Sequence, residues 1–218
     1  MLQSLFALLK LDSEVPDHTT VSRRKEKLGK VPFYQGKQNA PLHVLIDSSG
    51  LAVHVGQLRN PPTNRDYRKL HLCVDEQTGE VVACELTSKG AHDSSRVASL
   101  FGQIDRPVSS AIADSAYDTY GVYDALENHR EERSPRVLIP PCKGAQLATG
   151  SGSSRQRNHN IAERARLGKR NWHGESGYSK RSKVETTFYR YKASVGSAVR
   201  ARGLAAQPES RQGSGARS

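Results

Sequence analysis

Four polar residues late in the chain, Tyr178, Arg181, Glu185 and Lys192, are spaced Y-x2-R-x3-E-x6-K within YSKRSKVETTFYRYK. At about 100° per residue of helix they project into one sector roughly 60° wide. Val184, Phe188, Tyr191 and Val195 form an apolar stripe beside it. The spacing predicts an amphipathic helix over 178–192 that buries one edge and holds a carboxylate among cations on the next. A surface helix with incidental charges carries the same pattern, and Glu185 taken alone is equally a salt-bridge partner for Arg181.

A carboxylate held this way becomes chemistry when others join it. Two-metal phosphoryl transfer needs several carboxylates converging on two Mg²⁺ ions about 3.5–4 Å apart. One ion activates the attacking oxygen and the other stabilises the leaving oxygen. Oxygen donors suit Mg²⁺ and leave part of its shell to water and substrate phosphate. Asp47 closes a predicted strand, LHVLID, before Ser-Ser-Gly; Asp114 closes another in IADSAYDT. The separations from Asp47 to Asp114 and from Asp114 to Glu185 are 67 and 71 residues, so only the fold can unite them. Each aspartate alone reads as well as a turn or cap residue.

Asp75, Asp93 and Asp118 are rival carboxylates, expected in a hairpin turn, at a helix cap and in the turn after Asp114 respectively. His43, His54 and His71 alternate with apolar residues without an H-x-x-x-H pair. They read as neutral imidazoles at a sheet surface, with no zinc site. Cys73, Cys84 and Cys142 are odd in number and scattered, which argues against a disulfide framework or zinc ribbon. There is no G-x-S-x-G, P-loop or dinucleotide fingerprint, so no cofactor-binding residues are expected.

The elements that must position these residues follow from periodicity. LHVLID, a Ser-Ser-Gly turn and LAVHV predict a hairpin; KLHLCVD and EVVACEL predict a second pair joined at 76–79. A helix over 92–104 places Val97, Leu100, Phe101 and Ile104 on one side. A strand at 109–113, a helix near 119–128 and a strand at 136–139 follow. The order is that of an α/β RNase H-like core: an antiparallel meander, then parallel strands joined by crossover helices. Between 142 and 177 the pattern reads as a flexible Gly/Ser-rich loop with one short helix near 161–167. Trp172, in that stretch, fits a core or interface position, or a stack on a flipped base.

The ends differ from this core. Residues 1–11 predict an amphipathic helix with Leu2, Leu5, Phe6 and Leu9 inward; they lack the basic n-region and cleavage site of a signal peptide. Asp17 caps a second short helix over 18–28 carrying Arg23, Arg24, Lys25 and Lys27. This reads as a solvated basic helix or as a fragment of a DNA-contacting helix-turn-helix. Residues 29–41 read as a linker, and 205–218 as a disordered tail. Across the chain, 33 Lys+Arg face 22 Asp+Glu, a net +11. Ten Lys/Arg against two Glu fall in 143–183, a net +8 over 41 residues. This favours nucleic acid over membrane as the partner, since no segment is long enough to cross a bilayer.

Four segments, LHVLIDSSGL, YRKLHLCVDEQTGEVVACELT, AIADSAYDTYGVYDAL and SGYSKRSKVETTFYRYK, together resemble the catalytic domain of insertion-sequence DDE transposases of the IS-four and IS-five group. VPDHTTVSRR resembles the end of that family's upstream helical region, and the likeness spans roughly 2–204. By that resemblance Asp47, Asp114 and Glu185 are the catalytic metal ligands for Mg²⁺, with Mn²⁺ able to substitute. Tyr178, Arg181 and Lys192 would contact terminal-repeat phosphates or orient Glu185; Arg164, Lys169 and Arg170, in the basic 143–183 segment, are further candidates for DNA binding. The resemblance implies domains at 1–41 (a helical remnant plus linker) and 42–204 (the RNase H-like domain with a basic insertion at about 143–177). It implies a chain shortened at both ends, metal-dependent cleavage at element ends and strand transfer into target DNA. A homodimer in the DNA complex and a bacterial cytoplasmic location also follow. Two alternatives share the charge pattern: a non-catalytic basic DNA-binding protein or repressor derived from a transposase, and an RNase H-like nuclease.

Overall fold

Leu42, Val44, Leu45 and Ile46 are all buried, as expected of a central strand covered on both faces. They open strand β1 (Leu42–Val53), the axis of the computed structural model, which describes residues 40–53, 67–129, 134–149 and 152–199. The two expected N-terminal helices, His54, the loop at 57–66 and the tail after Arg202 lie outside the described residues.

β2 (Tyr67–Asp75) and β3 (Val81–Ser88) complete an antiparallel meander on β1. Their turn closes on Asp75, whose carboxylate accepts from the Thr78 hydroxyl at 2.8 Å and the Thr78 N–H at 3.2 Å. A 3₁₀ turn (Asp93–Arg96) leads into α1 (Val97–Phe101), and β4 (Val108–Ile112) follows. Thr119 caps α2 (Tyr120–Glu127) by accepting from the Val122 N–H. β5 (Arg136–Leu138), α3 (Gly152–Glu175), a 3₁₀ turn (Tyr178–Arg181), α4 (Ser182–Ser194) and β6 (Ala198–Val199) complete the order. The sheet runs β3-β2-β1-β4-β5, with β6 alongside β1 near Ala52. The β1, β4 and β5 strands are parallel. A mixed sheet of this order, flanked by helices, is an RNase H-like core.

The two sheet faces bury separate cores. Val44, Ile46 and Cys73 pack with Val97, Leu100, Phe101, Val122 and Leu126 from α1 and α2. Leu45, Leu51, Leu72 and Val74 pack with Trp172, Val184 and Phe188 from α3 and α4. The helix stripes predicted from spacing are buried at Val97, Leu100, Phe101 and Ile104 and at Val184 and Phe188, whereas Val195 is 69% exposed.

Several expectations are corrected. Ser48-Ser49-Gly50 is not a turn: β1 runs through it, because β2 supplies ladder partners at His71, Leu70 and Lys69. The stretch expected to be a flexible loop with one short helix near 161–167 is instead helical over Gly152–Glu175, as two helical segments that meet at a kink at Gly168 (φ 75°, ψ 160°). The cap position before the 3₁₀ turn belongs to His92, not Asp93, whose carboxylate accepts from Lys69 Nζ at 3.0 Å. Asp118 does end the 3₁₀ turn after Asp114, as expected, but its carboxylate is buried, gripped by Arg157 at 2.8 and 3.1 Å and by the Cys142 N–H at 2.8 Å. His71 is fully buried, not at a surface, with Nε2 2.8 Å from Thr87 Oγ1. Trp172, by contrast, takes the core position expected of it, 2% exposed.

Candidate active site

The parallel register of β1 and β4 ends at Leu45 opposite Ile112. Two residues further along each segment stand Asp47 and Asp114, so the two carboxylates lie at the same level of adjacent parallel strands. Asp47 is still within β1, paired with Leu72 of β2. Asp114 has left β4 and caps the 3₁₀ turn Ser115–Tyr117, accepting from the Ala116 N–H at 2.9 Å. Asp47 accepts from the Ser48 N–H at 2.8 Å. Burial raises its carboxyl above the ordinary value, against the Ser48 N–H and Arg181, while nearby Asp114 adds to the rise.

The 3₁₀ turn before α4 delivers Arg181 to this point. One guanidinium nitrogen donates to Asp47 Oδ2 at 2.8 Å and the other to Glu185 Oε1 at 2.9 Å. The second bond follows from the i,i+4 spacing on the helix; the first spans 134 residues of sequence. Lys192 Nζ donates to Ser49 Oγ at 2.7 Å, two residues beyond Asp47 on the same face of β1. The Y-R-E-K edge of α4 therefore lies along β1. Tyr178 rests on aromatic neighbours, its ring centroid 5.6 Å from Trp172 and 4.6 Å from His173. Burial raises the Tyr178 hydroxyl above its ordinary value, with Arg181 opposing.

The remaining basic residues separate. Arg164 donates to the Pro141 carbonyl at 2.5 Å, while Lys169 and Arg170 are exposed beside the break at Gly168. Residues not singled out by spacing also support the site. His173 packs on Tyr178, and its buried Nε2 has no hydrogen-bond partner among the described residues. Gln156, Asn160 and Arg157 anchor α3 through polar bonds. Their helical spacing is present in the sequence, but it is a polar spacing and forms no apolar stripe.

The donor chemistry suits a hard divalent cation: carboxylates and no thiolate. Asp47 and Asp114 stand together, and the Arg181 guanidinium already places a cation between Asp47 and Glu185. The three carboxylates do not, however, close into one cluster; among the described residues no group of three or more metal-ligating side chains is gathered. Glu185 is 60% exposed and reaches Asp47 only through Arg181.

Fold and site together define an RNase H-like protein with one acidic residue within its central strand and another just past the neighbouring strand. Two family models, each described as a transposase DDE domain, match residues 38–209 and 1–56. The chain belongs to the transposase DDE domain family. No solved structure matches it.

Proposed function

We propose that this transposase cuts DNA at the ends of an insertion sequence of the IS-four/IS-five type and joins the freed end to target DNA. The observation that carries this reading is the Arg181 fork, which links Asp47 on the central strand to Glu185 on α4. Asp47, Asp114 and Glu185 would hold divalent metal, Mg²⁺ or Mn²⁺. When bound, the metal supplies activation of the attacking oxygen and stabilisation of the leaving oxygen.

The chain's own residues set the geometry. Asp47 and Asp114 fix one side of the reacting phosphate from adjacent strands. Arg181 orients Glu185 and offers a guanidinium to a phosphate oxygen, and Lys192 extends the same edge towards the next phosphate. In the first step water attacks the phosphorus at the element's end, the bond to the 3′ oxygen breaks, and a 3′-hydroxyl is released. In the second, that hydroxyl attacks a target phosphodiester and displaces a target 3′ oxygen. Neither step needs a covalent enzyme intermediate. The partner is terminal-repeat and target DNA, and pairing two ends calls for at least a dimer.

The test is a Mg²⁺-dependent nicking assay on the flanking inverted repeat. Wild type should nick, while Glu185→Gln and Asp47→Asn should lose about a hundredfold or more, since each removes a charged ligand. Equal activity in wild type and Glu185→Gln would remove Glu185 from the mechanism. A second reading, DNA binding without cleavage, draws on the exposure of Glu185 and its attachment to Arg181. Salt-sensitive binding with no nicking in either metal would favour it.

A further inference from the structure

The β2–β3 turn reaches across to the start of α4 through one residue, Glu76. Glu76 Oε2 takes Lys180 Nζ at 3.0 Å, and Oε1 takes Lys183 Nζ at 2.6 Å. Lys183 also donates to the Glu76 carbonyl at 3.0 Å. The turn itself is pinned to β1, since the Glu76 N–H donates to the His43 carbonyl at 2.7 Å. Hydrogen bonding from Lys183, reinforced by Lys180, holds the Glu76 carboxyl below its ordinary value despite some burial.

Three properties of this cluster point to a ligand. First, one carboxylate faces two ammoniums, so the cluster keeps a net charge of +1. Second, the exposure is lopsided: the Glu76 side chain is 11% exposed and both lysine side chains are 53% exposed. The cations are open to solvent while the anion lies behind them. Third, each of the two carboxylate oxygens takes its own ammonium, an arrangement that the two non-bridging oxygens of a phosphodiester can reproduce. Lys180 and Lys183 also bracket Arg181, whose guanidinium touches Asp47.

We propose that Lys180 and Lys183 form a binding pair for a DNA backbone phosphate next to the reacting one, and that Glu76 occupies the pair as a phosphate stand-in while DNA is absent. This rests on the reading that the chain binds DNA along the α4 edge. DNA arrives by exchanging a carboxylate for a phosphate, so part of its binding free energy is spent on releasing Glu76. The contact is a weak autoinhibitory brake on DNA engagement.

The experiment measures affinity of the full-length chain for a short DNA duplex across a salt series. Glu76→Gln keeps the shape of the side chain and removes the competing charge. It should tighten binding about fivefold at low salt and steepen the slope of log affinity against log salt by about one phosphate's worth. Lys180→Ala combined with Lys183→Ala should weaken binding and abolish the gain from Glu76→Gln. Glu80→Gln, a neighbouring exposed carboxylate, controls for removing negative charge in general. Lysine acetylation footprinting of wild type gives a readout independent of variants: DNA should protect Lys180 and Lys183. If Glu76→Gln only lowers the melting temperature, or tightens binding no more than Glu80→Gln, the cluster is a structural tie and the proposal fails. If wild type shows no salt-dependent DNA binding at all, the underlying DNA-binding reading fails with it.

Discussion

Arg181 is the residue on which the site turns, because one side chain satisfies carboxylates from two distant parts of the chain. Removing it leaves Asp47, which is 15% exposed in its side chain, with only the Ser48 N–H on that carboxylate among the described residues. Arg181→Ala should therefore cost about 1–2 kcal/mol of stability and, under the proposed mechanism, about tenfold to a hundredfold in nicking. Arg181→Lys should recover stability more than nicking, because one ammonium cannot fork to two carboxylates. Parallel recovery of both would mean that charge alone matters at this position. His71 gives a second prediction, now on pH. Burial lowers its pKa below the ordinary 6.5; Asp93 and Glu85 pull it up, and Lys69 and Arg96 push it down. A lowered histidine pKa means that the unfolded chain binds the proton more readily. The contribution is complete above about pH 6.5 and is lost as pH falls towards the folded-state value. Unfolding free energies between neutral and mildly acidic pH should fall more steeply for wild type than for His71→Gln, and identical slopes would contradict this.

At the scale of elements, legibility followed the source of each element's stability. Strands β2 to β5 and helices α1 and α2 are readable because they bury apolar residues at regular spacing. The continuation of β1 through Ser48, Ser49 and Gly50 is not, because turn-forming residues there are overruled by pairing with β2, which no local window contains. Helix α3 is hidden from an apolar pattern because polar side chains anchor much of its buried face. Gln156 accepts from the Val137 N–H at 2.8 Å and donates to the Pro135 carbonyl at 3.1 Å. Asn160 donates to the Val137 carbonyl at 3.0 Å and to the Tyr123 hydroxyl at 3.1 Å. These bonds do what a further strand would do for β5, the last strand of the sheet order, and they cover its open edge. The site divides in the same way: the Y-R-E-K spacing puts Arg181 beside Glu185, but the reach of Arg181 to Asp47 depends on tertiary packing. Gln156→Ala combined with Asn160→Ala should cost about 3 kcal/mol by stranding buried backbone groups. It should also increase light scattering on mild heating as the edge becomes available to other chains. Loss of stability without aggregation would limit these residues to packing.

For the whole molecule, the question is whether DNA senses total charge or one surface. The net +11 attracts a polyanion from any direction, and the +8 between 143 and 183 overstates what that segment offers. Arg157 is committed to the buried Asp118 and Arg166 to Glu163. Before DNA arrives, Arg181 is held by Asp47 and Glu185, and Lys180 and Lys183 by Glu76. Lys169 and Arg170 stand exposed at the Gly168 break. If binding follows the surface, Lys169→Ala with Arg170→Ala should lower the slope of log affinity against log salt by about two, at roughly 0.9 for each phosphate no longer neutralised. Arg157→Met also removes a positive charge, but from a position 6% exposed. It should leave the slope unchanged while lowering unfolding free energy by about 3–5 kcal/mol, because Asp118 is left as an uncompensated buried charge. Both variants need to be read on folded protein, at a temperature well below the melting point of Arg157→Met. A slope that falls by the same amount per charge in both would make DNA binding a property of net charge, and the exposed face around Gly168 would then have no special standing.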